Sequence, residues 1–174
     1  MATYVLISSS VLAATSTSVT FSSIPQTYTD LVLKTSIRTS VAAAIAVDPS
    51  LTINSNSSAI YSRVYLQGNG AAAAAARPSS QTEAGFRYGA NDTGSTTNTF
   101  TSSEFYFPSY TASQNKPFSL MTATENNATT GYINLEGQLF QSTSAITSIG
   151  ITIGAGAYSF AIGSSFYLYG ISNA

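Results

Sequence analysis

The sequence predicts an all-β protein, a single domain over residues 1–174 built as an antiparallel, jelly-roll-like β-sandwich. Three observations point to this fold class. Apolar and polar side chains alternate along many short segments, and clusters of Gly, Pro, Asn, Asp and Ser separate those segments. In addition, no window of ordinary helical length shows a helical period.

Five segments carry the clearest alternation. Each places apolar residues on one face of a strand, so we expect that face to pack on the core and the other to be polar or tyrosine-bearing. In 60–67, for example, Val64 and Leu66 oppose the tyrosines, and in 132–139 Ile133 and Leu135 oppose the polar residues. The five segments are 31–38, 60–67, 132–139, 149–154 and 166–171.

Weaker patterns predict further strands and the loops between them. The additional strands are 4–7, 18–22, 85–88, 100–107 and 118–124, and the predicted loops are 48–58, 90–98 and 111–115. The alanine run 71–76 lies between a glycine and a proline, so we expect a loop or a single helical turn there. Residues 1–15 form either the first edge strand or an N-terminal arm that pairs with another chain.

Composition excludes several function classes. Only 7% of residues are charged and the net charge is −1, so no basic patch for nucleic acid is expected. Histidine and cysteine are both missing, which removes the commonest general base, the commonest metal ligand and any thiolate site. We therefore expect no catalytic residue, no metal and no cofactor.

The acidic residues do not indicate a catalytic or metal site, and the N-terminus does not indicate export or membrane insertion. The seven acids are scattered, and Glu104 and Glu136 lie on the polar faces of predicted strands, where we expect solvated positions or ion pairs with Arg63 or Arg87. Asp48 and Asp92 fall in turn-rich segments and are expected to cap turns. Positions 1–15 lack a basic region and no long apolar stretch occurs, so neither an export signal nor a membrane span is expected.

The aromatic residues suggest an interaction surface. Most phenylalanines fall on apolar strand faces and are expected in the core, whereas many tyrosines fall on the opposite faces. Tyrosine with few charges is typical of a buried protein–protein interface, of a sugar-stacking surface, or simply of cross-strand packing on a wet face. The interface candidates are Tyr4, Leu6, Val11, Leu12, Tyr61, Arg63, Tyr65, Tyr106 and Tyr132.

Several stretches of the chain form a recognisable set. They are the opening YVLISSSVLAATSTSVTFSSIPQTYTDLVLKTSIRT, the stretches EFYFPSY, NKPFS and ENNATTGYINLEGQLFQSTSAITSIGI, and the ending GSSFYLYGI. Together they resemble small virion-associated proteins of tailed phages of cyanobacteria and other aquatic bacteria. The resemblance covers residues 3–39 and 100–172, and the middle of the chain diverges. It implies a jelly-roll-like sandwich and a structural role, on the head or the tail, and it supplies no catalytic residues.

The expected function is that of a capsid decoration, or cement, protein on the outer surface of the virion. Such a protein stabilises the shell by adding buried area at joints between subunits of the major capsid protein. Self-association is also expected, with a trimer favoured, because a surface poor in charge is typical of one covered by neighbours. The alternative is a carbohydrate-binding adhesin or another fibre or spike component of the tail, and a glycan hydrolase is a weaker third.

Overall fold

A computed structural model describes residues 3–42, 46–154 and 158–172, and this part of the chain contains strands and no helix. No segment in it is therefore a helix that could span a membrane. The strands are β1 Thr3–Val11, β2 Ser18–Phe21, β3 Asp30–Ile37, β4 Ala46–Val47, β5 Ser50–Ile53, β6 Tyr61–Gly68, β7 Ala73–Ala76, β8 Ala84–Gly85, β9 Ala90–Asn91, β10 Thr101–Phe107, β11 Lys116–Glu125, β12 Gly131–Phe140, β13 Ile149–Thr152 and β14 Ser165–Ser172.

Two antiparallel sheets form the sandwich, which confirms the predicted fold class. The large sheet has eight strands in the order β1-β14-β3-β10-β11-β12-β6-β7, and the small sheet has four in the order β2-β13-β5-β8. A two-stranded ribbon joins β4 to β9. The chain crosses between the sheets repeatedly from β1 to β6 and again from β12 to β14, whereas β6–β7 and β10–β11–β12 are hairpin-connected neighbours within the large sheet. The jelly-roll connectivity itself stays a prediction.

The core lies between the two sheets. Strict alternation on β10 and β11 places every second side chain inside, and the small sheet adds Val19, Leu51 and Ile151 from its three longest strands. Phe86 packs edge-on against Phe105 with ring centroids 5.1 Å apart. The phenylalanines expected in the core are buried, namely Phe21, Phe86, Phe105, Phe107, Phe118, Phe140 and Phe166.

Four local predictions are corrected. The alanine run is not a helical turn, because Ala73–Ala76 pairs with β6 as the last strand of the large sheet. The predicted loop 48–58 contains β5, and the loop 90–98 begins with β9. Conversely, the predicted strand 85–88 is mostly a turn, since β8 ends at Gly85.

The N-terminal segment is an edge strand of the protein's own sheet. β1 pairs along its length with β14, from Thr3 opposite Ser172 to Val11 opposite Ser165. A register shift between Leu6 and Ser8 marks a bulge. Of the two alternatives for residues 1–15, the structure therefore favours the edge strand over the arm, and residues 1–2 lie outside the described part.

Candidate interaction surface

The outer face of the large sheet exposes apolar side chains on neighbouring strands. Val64 and Leu66 on β6 are 52% and 54% exposed, and Ile133 and Leu135 on β12 are 54% and 53% exposed. Leu66 lies directly opposite Leu135 in the pairing of the two strands. Both strands thus turn their apolar side away from the core, which is the reverse of the predicted orientation.

The opposite, inward side of β12 is polar. Asn134, Glu136 and Gln138 are all buried. The carboxylate of Glu136 accepts hydrogen bonds from the backbone N–H of Arg87 at 2.9 Å and from the amide of Gln138 at 3.1 Å, and its Oε2 lies 3.4 Å from Nη1 of Arg63. A buried carboxylate is tolerated only when it is paired in this way. Even so, burial raises the pKa of Glu136, and the N–H of Arg87 and the charge of Arg63 oppose that rise only in part.

The loop that follows β8 explains why polar residues face inward here. The small sheet is only four strands wide, and the chain after β8 covers part of the inner side of β12 with its main chain. Gln138 donates to the carbonyl of Gly85 at 2.9 Å, and Asn134 donates to the carbonyl of Arg87 at 3.1 Å. Because buried backbone groups must be hydrogen-bonded, strands beneath a loop need polar side chains on that side.

Arginine and tyrosine side chains complete this inner layer. The guanidinium of Arg87 lies 4.9 Å from the ring centroids of both Tyr65 and Tyr88, a cation–π arrangement, and its Nε donates to the side-chain oxygen of Gln67. Tyr88 stacks on Tyr132 with centroids 4.1 Å apart. Tyr65, Tyr88 and Tyr132 are half-buried, and these ring contacts hold the loop against the sheet.

The exposed apolar area extends from β6 across β12 to β11 and β10. Met121 is 50% exposed and lies opposite Leu135, and Tyr106 on β10 is 37% exposed. A shallow depression of about 520 Å³ runs between these strands. We call this surface the outer apolar patch, and its large side chains are Val64, Leu66, Tyr106, Met121, Ile133 and Leu135.

Charges border the patch and are paired within the chain. Lys34 and Glu104 form a salt bridge of 2.9 Å on the outer face, with about half of each side chain exposed. The hydroxyl of Tyr106 donates to Asp30 at 2.8 Å, and that hydrogen bond raises the pKa of Tyr106. Glu104 likewise raises the pKa of Lys34. The Lys34–Glu104 salt bridge therefore cancels one pair of bordering charges, and the large side chains of the patch itself are neutral.

The outer face of the small sheet has the opposite character. Its outward side chains are hydroxyls or glycine, including Thr20, Thr52, Gly150 and Thr152. A hydroxyl surface hydrates well, whereas contiguous exposed apolar area in a protein marks an interaction site. The two faces of the sandwich are therefore chemically distinct, and only the large sheet presents the apolar one.

The predicted interface residues separate into three groups. Tyr4, Leu6 and Val11 are exposed on edge strand β1, and Tyr106 is exposed within the patch. Leu12 is partly buried against the core. The remaining four lie on the inner side, namely Tyr61, Arg63, Tyr65 and Tyr132.

Tyr61 is the clearest correction among the predicted interface residues. It is 1% exposed, and its ring packs on Phe140 with centroids 5.0 Å apart. Its hydroxyl accepts from the N–H of Ile53 at 2.9 Å and donates to the carbonyl of Asn56 at 2.9 Å. Tyr61 therefore ties β6 to β5 and the turn that follows it, and it has no surface to offer a partner.

Sequence reasoning missed the large residues that dominate the patch, other than Tyr106. The alternation on β6 and β12 separates two faces correctly, but it does not say which face is inside. The sequence does contain one signal for the inward face, namely that one side of these two strands is densely polar. Its polar residues are Arg63, Gln67, Asn134, Glu136 and Gln138. Five polar side chains on adjacent strands can face inward only where a loop covers them, and nothing local in the sequence places that loop.

A second surface feature lies at the end of the β6–β7 and β11–β12 hairpins. It is an open cleft of about 510 Å³ whose lining includes Phe100, Tyr132, Asn69 and Glu125. Two aromatic rings beside an amide and a carboxylate are groups that stack on and hydrogen-bond to a sugar.

The described residues contain no candidate metal site, and the comparisons with known proteins find no relative. No group of three or more His, Cys, Asp or Glu side chains in residues 3–42, 46–154 and 158–172 could hold a metal ion. Comparison with protein-family models, with curated proteins and with solved structures finds no match.

Proposed function

We propose that this chain is a structural protein of a phage particle, a decoration protein that docks on the outside of the capsid through its outer apolar patch. The observation that carries the proposal is the outer apolar patch, which extends over β6, β12, β11 and β10. Six large apolar side chains, each between 37% and 54% exposed, lie together on a protein with 7% charged residues. Burying such a face against coat subunits supplies hydrophobic stabilisation without matching charges.

The arrangement of the sandwich supports this role. The hydroxyl-rich face of the small sheet is suited to face water, and the opposite, apolar face is suited to face the shell. A decoration protein must adhere to a surface with which it does not fold, so it needs one adhesive side and one hydrated side. The phage resemblance of residues 3–39 and 100–172 agrees with a structural rather than a catalytic role.

Mass spectrometry of purified particles tests the proposal. If the chain decorates the shell, it should be present at a copy number on the order of hundreds, because a shell repeats each joint by symmetry. Stripped shells should rebind the purified protein and should not rebind a variant with Leu135→Ser and Met121→Ser. A copy number of only a few to a few tens would place the chain on the tail, and its absence from particles would refute a virion role.

The cleft beside Phe100 and Tyr132 favours one second candidate, a tail-associated carbohydrate-binding adhesin. In that case the purified protein should bind members of a glycan array, and Glu125→Gln should reduce the signal because an exposed carboxylate is a strong acceptor for sugar hydroxyls. Glycan binding together with a copy number of only a few to a few tens per particle would replace the decoration proposal by this one. Glycan binding by a protein that is present in hundreds of copies per particle would leave the decoration role in place.

A further inference from the structure

The large sheet ends in a strand whose free edge is all alanine. β7 pairs with β6 on one side, and no strand of the described residues lies on its other side. All four residues of β7 are exposed. An unpaired edge presents main-chain N–H and C=O groups to any strand of matching shape.

The pairing with β6 determines which groups are free. Asn69 donates its N–H to the carbonyl of Ala72 at 3.2 Å, and Arg63 donates its N–H to the carbonyl of Pro78 at 2.9 Å. In an antiparallel ladder every second residue points its main chain at the neighbour. Even-numbered positions from 72 to 78 therefore bond to β6, and the main chains of Ala73 and Ala75 point outward.

We propose that the free edge of β7 pairs antiparallel with β7 of a second copy of this chain. For all the outward N–H and C=O groups of Ala73 and Ala75 to be hydrogen-bonded, Ala73 must lie opposite the partner's Ala75. The two-fold axis then passes through the position of Ala74. Four inter-chain hydrogen bonds then satisfy the exposed main chain of both copies. The contact is self-complementary and closed, so it forms a dimer and does not propagate.

Charge and shape agree with this occupant. Alanine side chains neither clash nor repel across a two-fold axis. In the proposed register Arg77 lies opposite the partner's Ala71, so the two Arg77 charges are about 20 Å apart along the strands. That separation exceeds the Debye length of about 10 Å at 0.1 M salt, and the repulsion between them is screened. β7 ends at Ala76, which limits pairing to this short stretch.

Other strands fit the free edge of β7 less well than a second β7. A foreign strand gains its specificity from side-chain pockets beside the edge, and an alanine edge offers shallow ones only. Pairing β7 with β1 of another copy would be a head-to-tail contact, which forms a ring or a filament rather than a two-fold dimer, and the bulge between Leu6 and Ser8 interrupts the β1 edge. Two-fold pairing also differs from the trimer that the sequence predicts, so the two expectations can be separated by measurement.

The proposed pairing would enlarge the adhesive surface. Beside β7 lies an apolar hollow of about 200 Å³ lined by Leu66, Ala73, Ile133 and Leu135, which belongs to the outer face. Edge pairing joins the outer faces of both copies into one continuous surface, with the alanines at its centre. Dimerisation does not require a capsid, so this inference is tested separately from the proposed function.

Hydrogen exchange of the purified full-length protein, measured over a concentration series, tests the proposal. The amides of Ala73 and Ala75 should gain protection as concentration rises, whereas those of Ala74 and Ala76, already bonded to β6, should not change. Sedimentation velocity on the same samples should show a weak monomer–dimer equilibrium, because four main-chain bonds bury little area. A monomer at every concentration, or a trimer whose Ala73 and Ala75 amides stay unprotected, would overturn the proposal.

Two variants locate the contact. Ala75→Pro removes an outward N–H and keeps the bonds to β6, and Ala75→Lys places two lysines diagonally across the axis, so each should weaken dimerisation by about tenfold or more. Ser9→Lys on the opposite edge strand is the matched control and should leave the dimer unchanged. Thermal unfolding reports whether Ala75→Pro folds, and Ala75→Lys provides the test if it does not. Dimers of unchanged strength in both folded variants would refute the β7 contact.

Discussion

Glu136 and Arg87 are joined inside the protein by a hydrogen bond of 2.9 Å from the backbone N–H of Arg87 to the carboxylate. This bond connects the middle of β12 to the loop after β8, and it helps to fix the polar side of β12 inward. The exposed apolar side of β12 follows from it, because successive side chains of a strand point to opposite faces. The outer apolar patch therefore depends on a buried polar contact on the other side of the same strand.

Removing the carboxylate of Glu136 should destabilise the protein strongly. Glu136→Ala leaves Arg63 without its buried counter-ion and the N–H of Arg87 without an acceptor, so we expect a loss of about 3 kcal/mol in the free energy of unfolding. Denaturant unfolding measures it. The control is Glu104→Ala, which breaks the half-exposed pair with Lys34 and should cost less than about 1 kcal/mol. Equal losses in both variants would contradict the structural role assigned to Glu136.

Stability should depend on pH through Glu136. Burial raises the pKa of this carboxyl above its ordinary 4.5, so the folded protein binds the proton more readily than the unfolded chain. The stability contributed by the protonated group is complete below pH 4.5 and is lost as the pH rises through the folded pKa. The free energy of unfolding of the wild type relative to Glu136→Gln should therefore fall between pH 4.5 and neutral pH. A difference that rises or stays level over this range would show that the pKa is not raised.

Gly170 should not tolerate a methyl group. A Cβ at this position would lie 2.3 Å to 2.6 Å from ring atoms of Tyr28, which packs over the glycine. We expect Gly170→Ala to destabilise the protein by about 1–3 kcal/mol through overpacking. Gly137→Ala is the matched control in β12, because a Cβ there would meet Val64 at an ordinary 3.5 Å. Thermal melts of the two variants should differ clearly, and matching melts would be evidence against the packing of Tyr28.

The hydroxyl of Tyr61 should matter for stability and not for association. Tyr61→Phe keeps the ring against Phe140 and removes the bonds to Ile53 and Asn56, leaving a buried N–H without its acceptor. We expect a loss of about 1–2 kcal/mol in the free energy of unfolding. Sedimentation of the folded variant should match the wild type, because the side chain is buried. A change in oligomeric state would restore Tyr61 as an interface candidate.

Polar substitutions in the outer apolar patch should separate adhesion from stability. Leu135→Ser acts on a side chain that is 53% exposed, so we expect a cost of only about 1 kcal/mol together with a clear loss of fluorescence from a bound hydrophobic dye. Leu168→Ser replaces a leucine that is 0% exposed and should cost about 3 kcal/mol or more. Unchanged dye binding by folded Leu135→Ser would show that the patch is not the adhesive surface.

The sequence by itself determined the all-β class and most of the strands. Periods of two along β3, β6, β10, β11, β12 and β14 are local properties of the chain, and so is the phenylalanine-rich core that they predict. The low charge also led to the prediction of an interaction surface, which stays a prediction. These features were readable because they depend on neighbouring residues only.

Only the tertiary structure decided which side of each strand is inside. Alternation on β6 and β12 separates two faces but does not say which one is inside. That is decided by Gly85 at the end of β8 and Arg87 in the loop after it, whose main-chain groups require Gln138, Asn134 and Glu136 beneath them. The same is true of the alanine run, whose weak helix preference is overridden by pairing with β6. Burial depends on partners distant in sequence, and for that reason the outer apolar patch and the free β7 edge became visible only in the folded chain.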